Sequence, residues 1–183
     1  PERAEEVYSA IIAVDPTDDV AGVALEDLRR ELGKHEELIE MLLDRSEKSE
    51  SHAERARALH QTGQLYLREI DDHEQGVYAL AQALAQDVMN DEFALDLERA
   101  AGTDMKLWAE ALQLLGEVTT HPRMPDEPKV VLYLRLEHWY SEKVARPDLG
   151  IPCFQSVLAI DPANDAALAG VGAIYRRAQQ WAE

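Results

Sequence analysis

The stretch that decides the fold is Ala4–Pro16, AEEVYSAIIAVDP, because its pattern returns at Gly150–Pro162, GIPCFQSVLAIDP. In both copies a small residue stands four positions before an aromatic residue, and an aliphatic run then ends in Asp-Pro. The offset is 146 both between the two aromatic residues and between the two final prolines. Self-similarity of this kind is the signature of a repeat architecture, so intermediate copies are expected between the two segments.

The intermediate copies place the large residue of the pattern at Leu42, Leu80 and Leu115, with successive spacings of 34, 38, 35 and 39 from Tyr8 to Phe154. Apolar residues recur at steps of three and four on both sides of these positions, which indicates pairs of amphipathic helices. The pattern predicts about ten helices in an all-α chain. Second helices near 3–14, 34–48, 73–87, 104–119 and 147–160 alternate with first helices near 17–32, 51–69, 91–101, 126–144 and 163–180.

Composition agrees with helices and restricts the partners. Apolar residues make up 46% of the chain, and Ala and Leu dominate them, whereas residues that favour strands are sparse. The 36 acidic and 18 basic residues give a formal charge of −18. Such a surface repels phosphate groups, so nucleic acid and anionic membranes are not expected as partners.

Residue patterns that carry chemistry are missing from the sequence. It has no glycine-rich phosphate loop and no G-x-S-x-G nucleophile motif. Cys153, the only cysteine, stands between Pro152 and Phe154, where a thiol is typical of a core position. His52 and His60 are eight positions apart without a carboxylate between them on that face, which is a poor pattern for a metal. We therefore predict no cofactor, no metal site and no catalytic residues, and a chain that is not an enzyme.

The repeats resemble the tetratricopeptide repeat family, in degenerate form. The family pattern W-x₂-L-G-x₂-Y is matched in its second half at Gly63-x₂-Tyr66 and, preceded by Leu168 and Val171, at Gly172-x₂-Tyr175. The resemblance implies an α-solenoid, a right-handed superhelix of stacked antiparallel helix hairpins. It also implies that the glycine of this step lets the two helices of a hairpin approach closely. Glu26 and Glu137 stand where two other repeats would have that glycine.

The resemblance implies a non-catalytic scaffold that binds a protein or peptide on a concave face lined by first helices. Aligning the repeats nominates ten residues for that face: Val23, Asp27, Arg57, His60, Gln64, Leu134, His138, Ala169, Ala173 and Arg176. An alternative is a regulatory or sensor segment that packs in cis within a larger enzyme or secretion-related protein. A small-molecule enzyme built on helices is a third possibility, and it would need a buried polar pocket.

The chain as a whole is predicted to be a single repeat array over residues 1–183, and an excerpt of a longer protein. The last predicted helix carries Leu168, Val171 and Trp181 without a following second helix to cover them. Self-association through this terminal helix is therefore also expected. No signal peptide and no apolar run of about 20 residues is visible, so we predict a cytoplasmic location.

Overall fold

The computed structural model describes residues 1–15 and 18–178, and within them the protein is all-α, with no strand. Ten α-helices follow one another along the chain. They are α1 (Glu2–Val14), α2 (Asp19–Glu31), α3 (His35–Lys48), α4 (His52–Leu65), α5 (His73–Gln86), α6 (Asp91–Ala101), α7 (Met105–Thr119), α8 (Asp126–His138), α9 (Pro147–Ile160) and α10 (Asp165–Ala178). One turn of π-helix extends α4 over Tyr66–Ile70, and another extends α8 over Trp139–Lys143.

The helices form a solenoid of hairpins, as the repeat pattern predicts. Each helix packs against the next one along the chain, and the second helices α5 and α7 also pack against each other. One continuous apolar core runs from α4 to α9 through Leu80, Leu84, Trp108 and Trp139. The rings of Trp108 and Trp139 lie 5.6 Å apart, centroid to centroid. Both tryptophans are core residues, as their spacing indicates, and Trp181 lies outside the described residues.

Each of the four turns from a first helix to a second helix contains one residue with positive φ. These residues are Gly33 (69°), Asp71 (60°), Gly102 (51°) and Ala145 (55°). The left-handed conformation reverses the chain in very few residues, and glycine adopts it without a steric penalty. The sequence identifies Gly33 as such a turn. The non-glycine cases, Asp71 and Ala145, follow the two π-helical turns.

Helix starts follow local capping chemistry. The sequence predicts N-caps at Thr17, Ser51 and Asn164, because their side chains can accept hydrogen bonds at the starts of the helices that follow. The Ser51 hydroxyl accepts a hydrogen bond from the backbone N–H of Glu54, and the Asn164 side chain accepts one from that of Ala167, so these two caps are confirmed. The predicted cap Thr17 lies outside the described residues. At that helix, Asp18 is the cap instead, accepting from Ala21 N at 2.9 Å.

Close helix approach depends on glycines at the crossings. A Cβ built on Gly63 would lie 2.8 Å from Leu80 Cγ and 3.0 Å from the carbonyl oxygen of Gly76, so Gly63 has the predicted role. For Gly172 the prediction stays untested, because no second helix of its hairpin is among the described residues, and none of their atoms would lie within 4 Å of its Cβ. In α10 the packed glycine is Gly170, whose Cβ would meet the Phe154 ring. The reason is that α10 contacts the preceding helix α9, and the face with Gly172 points away from it.

Helix α6 is shorter than the other first helices. It has 11 residues, whereas α4 has 14 and α8 has 13, each followed by a five-residue π-helical turn. The sequence predicts this short helix over 91–101, and the structure confirms it. Its neighbours in the stack therefore extend beyond it at both edges of the array.

Candidate functional site

A row of polar contacts joins α4 to α6. His60 is only 8% exposed; its Nε2 lies 2.9 Å from Asp96 Oδ2, and its ring stacks on Phe93 at 4.5 Å. The Gln64 amide also donates to Asp96, at 3.3 Å. Burial by itself raises the pKa of Asp96, but the hydrogen bonds from His60 and Gln64 and the nearby positive charges outweigh it and lower the pKa overall. Asp96 is therefore an ionised link between two first helices.

A second row joins α6 to α8. Arg135 Nη2 lies 2.6 Å from Asp91 Oδ1, and the indole N–H of Trp139 donates to Glu98 Oε1 at 2.8 Å. Lys143 Nζ lies 2.9 Å from the other oxygen of Glu98. Burial raises the pKa of Glu98, and the hydrogen bonds from Trp139 and Lys143 overcome this and lower it. The three first helices α4, α6 and α8 are thus bridged side by side.

The ten residues nominated from the sequence form what we call the first-helix surface, and they differ in environment. His60 is buried, and Gln64, Leu134 and Ala173 are half-buried. Leu134 packs against the cluster of Phe154, Val157 and Ala167, which makes it part of the core. Of the ten, the structure brings only His60 and Gln64 into a polar contact with each other, at 3.4 Å between their nitrogens. The exposed members are Val23, Asp27, Arg57, His138, Ala169 and Arg176.

A cleft of about 920 Å³ lies at one edge of the array and was not predicted. One wall is the first turn of α4, and the other is the end of α7 with the segment leading into α8; the end of α5 and the loop after it line it as well. No residue of α6, which is described throughout, lines the cleft. Two signals in the sequence point to it: the short first helix at 91–101, and the prolines at 122, 125 and 128, of which the first two precede α8 and the third lies in its first turn.

The cleft combines an apolar lining with basic groups. Its apolar side chains are Ala85, Val88, Met89, Leu114, Val118, Pro122, Met124, Pro125 and Pro128. Arg55, Arg123, His52 and His121 line it too, together with the acidic residues Asp87 and Glu117. His52 Nδ1 lies 3.0 Å from Gln86 Oε1, so this nitrogen is the donor when the amide oxygen accepts. The charges of the two arginines and the two acidic residues cancel, whereas the chain as a whole carries a formal charge of −18.

The opposite edge has a smaller and more polar depression of about 580 Å³. It is lined by the end of the first π-helical turn, the start of α5 and the start of α7. Lys106 Nζ donates to Glu74 Oε1 at 2.6 Å between two of these elements. Because its one lysine already pairs with Glu74, and its other charged residues Asp71, Asp72 and Asp104 are all acidic, the depression offers less to a ligand than the cleft.

The remaining reactive side chain, Cys153, is a buried thiol in α9. Burial first, and then the negative charge of Glu137, raise its pKa to about 11. A thiol with so high a pKa is a poor nucleophile at neutral pH. In the described part of the chain, no three or more histidine, cysteine and carboxylate side chains come together as a metal site would require.

No protein-family model matches the sequence, and no curated protein matches it either. Among the described helices, none combines the length and the apolar character needed to cross a bilayer.

Proposed function

We propose that this chain is a non-catalytic scaffold of the tetratricopeptide-repeat type, which binds a peptide or helix of another protein on its first-helix surface. The observation that supports the proposal is the bridging of α4, α6 and α8 by Asp96, Asp91 and Glu98. Side-by-side helices held by such contacts form a broad and rigid surface, which limits the entropy lost when a partner binds. Solenoids commonly use such extended surfaces for binding.

The exposed members of the first-helix surface supply the contacts in this proposal. Arg57 and Arg176 have no carboxylate within 4.0 Å among the described residues, so their charges are available to a partner. Ala169 is exposed and Ala173 half-buried, and their small side chains leave room for a bulky group. His60 and Gln64 act differently, because they hold α6 in place and support the surface from within.

A regulatory segment that packs in cis is the second candidate function. It is favoured by exposed apolar side chains on α1 and α2, at one end of the stack. There Val7 is 54% exposed, Val20 79% and Val23 58%. Removing apolar surface from water is favourable, so a neighbouring part of a larger protein that covered these side chains would gain stability.

The test is affinity capture with the whole chain, followed by calorimetry on the purified partner with surface variants. We expect Arg57→Glu combined with His138→Glu, and separately Ala169→Arg with Ala173→Glu, to weaken binding by about tenfold or more. The matched control combines Glu40→Lys and Glu110→Lys, exposed positions on second helices, and it should change affinity less than about twofold. Unchanged affinity in both surface variants, with their helical circular dichroism intact, would refute this location of the site.

A further inference from the structure

The cleft is a consequence of the short helix α6. The first turn of α4 contributes His52 and Arg55, and the start of α8 contributes Pro125 and Pro128, while α6 itself contributes nothing. The first residue of α6, Asp91, pairs with Arg135 in the third turn of α8, so α6 begins beside a later turn of its neighbour. The repeat is therefore interrupted at this point, and the interruption leaves a concave space in an otherwise packed stack.

The apolar lining of the cleft favours contact with apolar side chains of a ligand over contact with water. Met89 is 46% exposed, and the half-buried side chains of Leu114, Val118 and Met124 continue the same surface. Methionine adapts its shape to different apolar ligands, and prolines present a surface without backbone donors. The cleft therefore favours a ligand that inserts apolar side chains.

Two arginines in the lining of the cleft favour a ligand that carries a negative charge. Among the described residues, ten lysine and arginine side chains lie within 4.0 Å of a carboxylate. Arg55 and Arg123 form no such pair among the described residues, and the Arg55 Nε is enclosed without an acceptor there. The two acidic lining residues are engaged locally, since Asp87 accepts from Asn90 and Glu117 accepts from Gln113. A carboxylate supplied by a ligand would complement the two guanidinium groups.

The cleft, with a volume of about 920 Å³, has room for a short peptide segment. An extended segment sends alternate side chains to opposite sides. It can therefore place apolar side chains against the methionines and a carboxylate against the arginines.

We propose that the cleft binds an extended peptide segment of another protein, in which an Asp or Glu side chain is flanked by apolar side chains. Arg55 and Arg123 bind the carboxylate, and the surface around Met89 and Met124 binds the apolar neighbours. This site is separate from the first-helix surface and does not depend on it.

The experiment selects a phage-displayed library of random seven-residue peptides on the full chain. We expect the enriched peptides to carry one Asp or Glu between apolar residues. A synthetic consensus peptide, measured by fluorescence anisotropy, should bind about tenfold more weakly to Arg55→Gln and to Arg123→Gln, because each removes a charge-assisted hydrogen bond. Replacing the acidic residue of the peptide by its amide should have an equal effect.

Matched variants separate this site from the rest of the surface. Arg57→Gln changes an exposed arginine of the same helix outside the cleft, and it should leave the peptide affinity within twofold. Thr120→Trp fills the cleft without changing its charge and should abolish binding, whereas Thr103→Trp, also exposed but in the turn after α6, should not. A library without enrichment, a consensus without an acidic residue, or equal affinity for Thr120→Trp and Thr103→Trp would each overturn the proposal.

Discussion

The hairpins α4–α5 and α8–α9 have turns of the same kind, but they have different residues where their two helices cross. In both, a π-helical turn and one left-handed residue, Asp71 or Ala145, separate the two helices. In the first hairpin two glycines, Gly63 and Gly76, face each other at the crossing. In the second, Gly150 faces Glu137, whose Cγ would lie 3.1 Å from an added Cβ.

The difference shows that this kind of hairpin does not need a glycine on both helices at the crossing. Glu137 lies flat over Gly150 and accepts a hydrogen bond from the Ser141 hydroxyl at 2.8 Å. One glycine on the second helix is therefore enough when the first helix supplies a flexible side chain. The all-glycine crossing is tighter, because Leu67 and Leu80 close around it.

The largest effect is expected from Gly63→Val. The valine would meet Leu80 and the carbonyl oxygen of Gly76, neither of which can move without shifting a helix. We expect the free energy of unfolding to fall by about 3 kcal/mol, at the upper end of overpacking effects. Urea denaturation measures it. Gly116→Val in α7, where a new Cβ would meet no described atom within 4 Å, is the control and should change stability by less than about 1 kcal/mol. Equal losses for the two variants would contradict this explanation.

A smaller difference should separate Gly76→Ala from Gly150→Ala, which occupy equivalent positions. At position 76 the new methyl group would lie 2.6 Å from Leu67 Cγ, inside the core, and the expected loss is about 1–2 kcal/mol. At position 150 the Glu137 side chain can give way, and the gain in helix propensity of about 1 kcal/mol offsets the crowding. Urea denaturation of Gly150→Ala should therefore match the original protein within about 0.5 kcal/mol. If Gly150→Ala is less stable than Gly76→Ala, this explanation of the two crossings is wrong.

A substitution in the turn between α8 and α9 is expected to stabilise the protein. Ala145 has a φ of 55°, a conformation that costs an alanine about 1–2 kcal/mol. We expect Ala145→Gly to raise the free energy of unfolding by about 1 kcal/mol, since part of the gain is lost to the flexibility of the unfolded chain. Asp71→Gly should gain less, because Asp tolerates this conformation better than Ala. Thermal melts of the two variants test this order, and a larger gain at position 71 would reverse it.

The smallest effect concerns Cys153, which lies near Glu137 in the second hairpin. Because the thiolate is the reactive form and the pKa is about 11, alkylation by iodoacetamide should accelerate by about tenfold for each pH unit from 7 to 10. Glu137→Gln removes the lesser cause of the raised pKa and leaves the burial. Its rate at pH 8 should rise by no more than about threefold. A plateau in rate near pH 8 would show that the thiol is not held in its protonated form.

Much of the architecture could be predicted from local signals. The period from Tyr8 to Phe154, the caps Ser51 and Asn164, and the turn glycine Gly33 each act within a few residues of their own position. The first-helix surface could be predicted only in part from such local signals. Helical spacing nominates His60 correctly as a first-helix residue, but it cannot show that the His60 ring nitrogen contacts Asp96, which lies 36 residues later in the chain.

The sequence by itself thus determined the helical class, the order of the hairpins and the short helix α6, because periodicity and capping are properties of neighbouring residues. Only the tertiary structure decided that Gly170 packs against the Phe154 ring, that Glu137 replaces a glycine without opening the hairpin, and that a cleft lies beside α6. The physical reason is the same for all three. Each depends on how closely side chains from separate helices approach, and that distance is set by the packing of the whole stack.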